Sequence, residues 1–96
     1  VRDAEGMALA ARVTEPETGR SLEVRTTQPA VQLYTGNFLG GACAGRGGTD
    51  YRQNAGFCLE TQQAPDAPNR PEFGGACLDP GDTYMHRSRF LFRGAG

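Results

Sequence analysis

Leu22-Glu23-Val24-Arg25-Thr26-Thr27-Gln28-Pro29-Ala30-Val31-Gln32-Leu33-Tyr34-Thr35 is the stretch on which the fold class turns. Leu22, Val24 and Thr26 fall opposite Glu23, Arg25 and Thr27, the period of a strand buried on one side. Pro29 has no N–H to give to a ladder, so it separates this strand from the next. Ala30 to Thr35 alternates again, with Val31 and Leu33 on one face and Gln32 and Tyr34 on the other. One face of this second strand is apolar and the other carries groups that can do chemistry.

Working upstream, Met7, Leu9, Ala11 and Val13 occupy every second position, which predicts another strand from Met7 to Thr14. Glu15-Pro16-Glu17-Thr18-Gly19-Arg20 supplies the turn, because proline presets one dihedral and glycine accepts a positive one. A hairpin with Leu22–Thr27 as its second arm is expected. Downstream, seven glycines from Gly36 to Gly56 mark a loop. Within it, Gly40 to Gly47 has the form G-x-x-x-x-G-R-G, but the lysine and hydroxyl of a phosphate loop are missing, so an ordinary loop is the better reading.

Phe57 to Gln62 predicts a short strand with Phe57, Leu59 and Thr61 facing one way and Cys58, Glu60 and Gln62 the other. Pro65, Pro68 and Pro71 make the stretch from Ala64 to Gly75 irregular. Asp79-Pro80-Gly81-Asp82 reads as a turn into a last strand, from Thr83 to about Arg93. No segment shows a helical stripe. The fold class is therefore all-β, and short strands with long Gly- and Pro-rich connections point to a sandwich.

Ninety-six residues allow one domain at most, and 14 glycines with 6 prolines leave little chain for a core. Ten basic and eleven acidic residues give a net charge of −1, so no field draws the chain to nucleic acid or an anionic membrane. No apolar run approaches the length of a spanning helix. Three cysteines, Cys43, Cys58 and Cys77, are odd in number and widely spaced, which argues against a disulfide framework and for a reducing compartment. Cytoplasm is the expectation, with a periplasmic setting left open. A zinc site from these cysteines and His86 lacks the close ligand pairs such sites use, and no metal is expected.

Leu22 to Pro29, Val31-Gln32-Leu33-Tyr34-Thr35-Gly36-Asn37-Phe38, Gly56-Phe57-Cys58-Leu59-Glu60-Thr61-Gln62, Pro65-Asp66-Ala67-Pro68-Asn69 and Pro80-Gly81-Asp82-Thr83-Tyr84 together resemble the aldose 1-epimerase (mutarotase) family. The resemblance runs from about Ala8 onward, in the family's order and spacing. It departs at Gly74-Gly75-Ala76-Cys77 and around Gly45. It implies that residues 1–96 are the carboxyl-terminal segment of a large antiparallel β-sandwich whose amino-terminal part lies outside this chain. It implies interconversion of the α and β anomers of free hexoses such as galactose and glucose, without a cofactor.

In that family a glutamate takes the C1 hydroxyl proton, and its position matches Glu60. Gln32 matches a residue that hydrogen-bonds sugar hydroxyls. Tyr34, on the same face as Gln32, offers a flat apolar surface for the C–H side of a pyranose. The acid is a histidine from the earlier part of the fold, as are other sugar contacts, an aspartate among them. His86 does not match it and reads as structural. Two other classes stand beside the enzyme: a sugar-binding module that does not turn its ligand over, and an inactive fragment whose open strand edges seek a partner.

Overall fold

The computed structural model describes residues 1–41 and 44–95. Five strands form in chain order: β1 (Ala8–Thr14), β2 (Ser21–Thr26), β3 (Ala30–Tyr34), β4 (Cys58–Gln62) and β5 (Ser88–Arg93). All pairings between them are antiparallel. One sheet has the order β1-β2-β5 and the other is the ribbon β3-β4. The helical content described is three single 3-10 turns, at Arg46–Gly48, Ala67–Asn69 and Pro71–Phe73. Among the described residues no helix is long and apolar enough to cross a membrane.

The hairpin β1–β2 closes through Glu15 and Arg20: the Glu15 N–H donates to the Arg20 carbonyl at 2.8 Å. Gly19, at a φ of +72°, makes the left-handed step the turn requires. In register, Ala8 faces Thr26, Ala11 faces Val24 and Val13 faces Leu22, while Ser88, Phe90 and Phe92 continue the same face on β5. That face is the apolar one, and Val24 and Thr26 are buried on it. The other face is charged, with Arg12 paired to Glu23 across the strands at 2.6 Å.

Two strand expectations are corrected. The alternation Met7, Leu9, Ala11, Val13 breaks because the register shifts between Leu9 and Ala11. Ala10 is the extra residue of a bulge, which returns the following residues to the opposite parity. Leu9 thus pairs with Arg25 on the charged face and stays exposed. The last strand begins at Ser88 rather than Thr83. Ahead of it, Tyr84 takes a hydrogen bond from the Gln28 side chain, and Arg87 exchanges bonds with Thr27 at 3.0 Å. These side-chain ties hold Thr83–Arg87 without a ladder.

The ribbon is tied to the sheet through Thr61, on the apolar side of β4, whose hydroxyl lies 2.8 Å from that of Ser88. At the other end of β4, Phe57 and Phe92 line a cavity of about 420 Å³ that also touches Val13 and Leu22. The apolar side of the ribbon thus turns toward the apolar face of the sheet, although Leu33, Phe57, Phe90 and Phe92 there stay exposed. Two antiparallel sheets in this relation are what a fragment of a β-sandwich presents.

Candidate active site

Strand parity decides which of the candidate side chains share a face. In β3–β4, Gln32 stands directly opposite Glu60, Tyr34 opposite Cys58, and Ala30 opposite Gln62. Directly opposed residues share a face, with Cβ atoms about 4.5–5.5 Å apart. The three residues singled out in the sequence, Glu60, Gln32 and Tyr34, are therefore brought to one face of one ribbon, although β3 and β4 are separated by a long loop. The opposite face carries Val31, Leu33, Leu59 and Thr61.

Glu60 and Gln32 are exposed, while Tyr34 and Gln62 are half-buried. Among the described residues Glu60 makes no hydrogen bond or ion pair, and its carboxylate is open to solvent. Gln32 bends its amide to the Leu33 carbonyl at 3.2 Å. The Tyr34 hydroxyl accepts the Phe38 N–H at 3.0 Å, and the two rings lie 6.4 Å apart at 14°. Tyr34 is thus fastened to the turn that follows β3.

That turn is held by amides. Asn54 donates to the Thr35 carbonyl and to Asn37 Oδ1, both at 2.8 Å, and Gln53 donates to the Asn37 carbonyl at 3.1 Å. Asn54 takes a φ of +61° to do so, a conformation asparagine tolerates better than most residues. Phe38, stacked on Tyr34 and almost fully exposed, was not singled out in the sequence. Its signal is the Thr35-Gly36-Asn37 turn, which brings the fourth residue after Tyr34 back over it.

His86 is elsewhere. Its ring packs on Tyr84 at 5.2 Å, and it lines a hollow with Glu5, Thr27 and Arg87, none of them on the Glu60 face. Among the described residues no group of three or more His, Cys, Asp or Glu could hold a metal ion. Cys58 and Cys77 are free and exposed. Cys43 and part of the Gly40–Gly47 loop lie outside the described residues. The 420 Å³ hollow near Phe57 is lined mostly by apolar side chains and arginine stems, and none of Glu60, Gln32 or Tyr34 reaches it.

Residues 2–91 match the family model described as aldose 1-epimerase. The chain belongs to the aldose 1-epimerase family. It is similar to the galactose mutarotase of Bos taurus, at 54% identity over 82 residues, which is 85% of this chain and 24% of that protein. Against the galactose mutarotase of Rattus norvegicus the identity is 48% over 92 residues, 96% of this chain and 27% of that one. The aldose 1-epimerase of Escherichia coli (strain K12) is 39% identical over 90 residues, covering 92% and 26% respectively. The chain spans about a quarter of the length of these curated relatives. In this chain one face of the β3–β4 ribbon gathers a carboxylate, an amide and an aromatic ring.

Proposed function

We propose that this chain is the carboxyl-terminal segment of an aldose 1-epimerase domain and supplies the general base that interconverts the α and β anomers of a free aldohexose such as galactose or glucose. Anomer exchange opens the ring. A base removes the proton from the C1 hydroxyl while an acid protonates the ring oxygen; rotation about C1–C2 and reclosure then give the other anomer. Glu60 is the base. Gln32, across the ribbon from it, offers one donor and one acceptor to neighbouring sugar hydroxyls, and Tyr34 faces the C–H side of the ring. The acid comes from residues outside this chain, since its single histidine, His86, is not on the Glu60 face.

The observation that carries this reading is the register of β3–β4, which sets Glu60 against Gln32 with Tyr34 on the same face, in a chain that matches the family over residues 2–91. The test is polarimetry of freshly dissolved α-galactose with the full-length protein that carries this chain. Glu60→Gln keeps the shape and removes the base, and the expected loss in kcat is about 10²–10⁴-fold. A Glu60→Gln protein with the parent's rate would overturn the assignment, and sugar binding without any rate above buffer would favour the non-catalytic module.

A further inference from the structure

We infer that a chain of three hydroxyls, Thr61, Ser88 and Thr26, positions Glu60, and that Thr61 and Ser88 are positioning residues for the proton transfer. The inference rests on the reading of Glu60 as the base. Thr61 follows Glu60 directly, so the two side chains leave β4 on opposite sides. Glu60 points to the open face, and Thr61 points to the sheet, where its hydroxyl meets Ser88 at 2.8 Å. Ser88 in turn meets the buried Thr26 at 2.9 Å.

Each hydroxyl has one proton to give. Thr26 reaches the Arg87 carbonyl at 3.0 Å and accepts the Gln28 N–H at 3.1 Å. The Arg87 carbonyl also takes the Thr27 N–H at 3.0 Å, so the run can donate in either direction, from Thr61 through Ser88 to Thr26 or the reverse. In both orders Ser88 is the middle member, and removing the Thr61 or Ser88 hydroxyl breaks the run in a part-buried site.

A two-stranded ribbon has little rigidity of its own. Among the described residues β3–β4 pairs only within itself, and the side-chain hydrogen bond that ties it to the three-stranded sheet there is the one between Thr61 and Ser88. The anchor lies one residue from the carboxylate. Proton transfer needs that carboxylate within hydrogen-bond reach of the C1 hydroxyl, and a misplacement of about 1 Å can cost on the order of a hundredfold in rate.

The test uses the full-length protein in five forms: parent, Thr61→Val, Thr61→Ser, Glu60→Gln and the Glu60→Gln/Thr61→Val double variant. Valine keeps the branched shape and lacks the hydroxyl. The expected result is a fall in kcat of about tenfold or more for Thr61→Val with KM for galactose within about twofold, and recovery in Thr61→Ser. In a Glu60→Gln background, Thr61→Val has no further effect, because it acts only through the carboxylate. An unchanged kcat, or an equal loss in both backgrounds, overturns the inference. Should Thr61→Val not fold, Ser88→Ala, which removes the middle hydroxyl, is read by the same criteria. If Glu60→Gln itself keeps the parent rate, the base assignment fails; if Glu60→Gln is inactive and Thr61→Val is not slowed, only the positioning role fails.

Discussion

A Cβ on Gly36 would stand 2.9 Å from the Gly56 carbonyl oxygen and 3.1 Å from Leu39 Cδ1, at a φ of +76°. Both the close backbone and the left-handed dihedral demand glycine. Gly36 also receives the Leu39 and Asn54 N–H groups at 3.2 and 3.0 Å, so it ties the end of β3 to the turn that holds Tyr34. In the full-length protein that carries this chain, Gly36→Ala is expected to cost about 1–3 kcal/mol, seen as a lower denaturant midpoint. An unchanged midpoint would show that the turn relaxes freely. At this scale the sequence was informative about the face that Glu60, Gln32 and Tyr34 share, because which side a strand residue faces is a local property of a two-residue period. It was silent on the bulge at Ala10, where one small residue reverses that parity. It was silent too on Thr61 and Ser88, whose contact spans 27 positions and exists only once the layers meet.

The β1–β2 hairpin holds its turn with a carboxylate. Glu15 accepts the Glu17 and Thr18 N–H groups at 2.8 and 2.7 Å, and the Thr18 hydroxyl as well. The Thr18 hydroxyl first, then the two N–H groups, holds its carboxyl below the usual range. Glu23 is lowered too, chiefly by its hydrogen bonds from Arg12. A depressed pKa in the folded state stabilises the fold above the unfolded value, about 4.3 for Glu. That contribution is lost as pH falls through the folded value. The hairpin is therefore expected to weaken from about pH 5 downward. In urea titrations of the full-length protein that carries this chain, the midpoint of the parent falls over that range more steeply than that of Glu15→Gln; parallel curves would remove Glu15 from the account. The hairpin itself was legible from Pro16 and Gly19 between two alternating arms. The start of β5 was not, because Tyr84 and Arg87 are drawn into ties with Gln28 and Thr27 that alternation cannot foresee.

The whole chain is open for its length. Its radius of gyration is 17.0 Å, against about 12–13 Å for a compact domain of the same size. Its accessible surface of 7463 Å² exceeds the roughly 5400 Å² of a compact monomer of this mass. The buried apolar side chains described are Met7, Val24 and Ala67, while Phe92 is 78% exposed and Phe38, Phe57 and Phe90 are largely open. So little burial does not offset the chain entropy of ordering strands this short. The 96-residue chain alone is therefore expected to unfold without a sharp transition and to bind a hydrophobic dye. It should also associate as concentration rises, through Phe90 and Phe92 on β5, an edge of the three-stranded sheet. Phe92→Ser should reduce that association, measured by sedimentation between micromolar and tens of micromolar. A cooperative melt with a monomer throughout would show instead that the five strands suffice as a domain. In that case the rate that the isolated chain adds to galactose anomer exchange would measure the Glu60 face by itself.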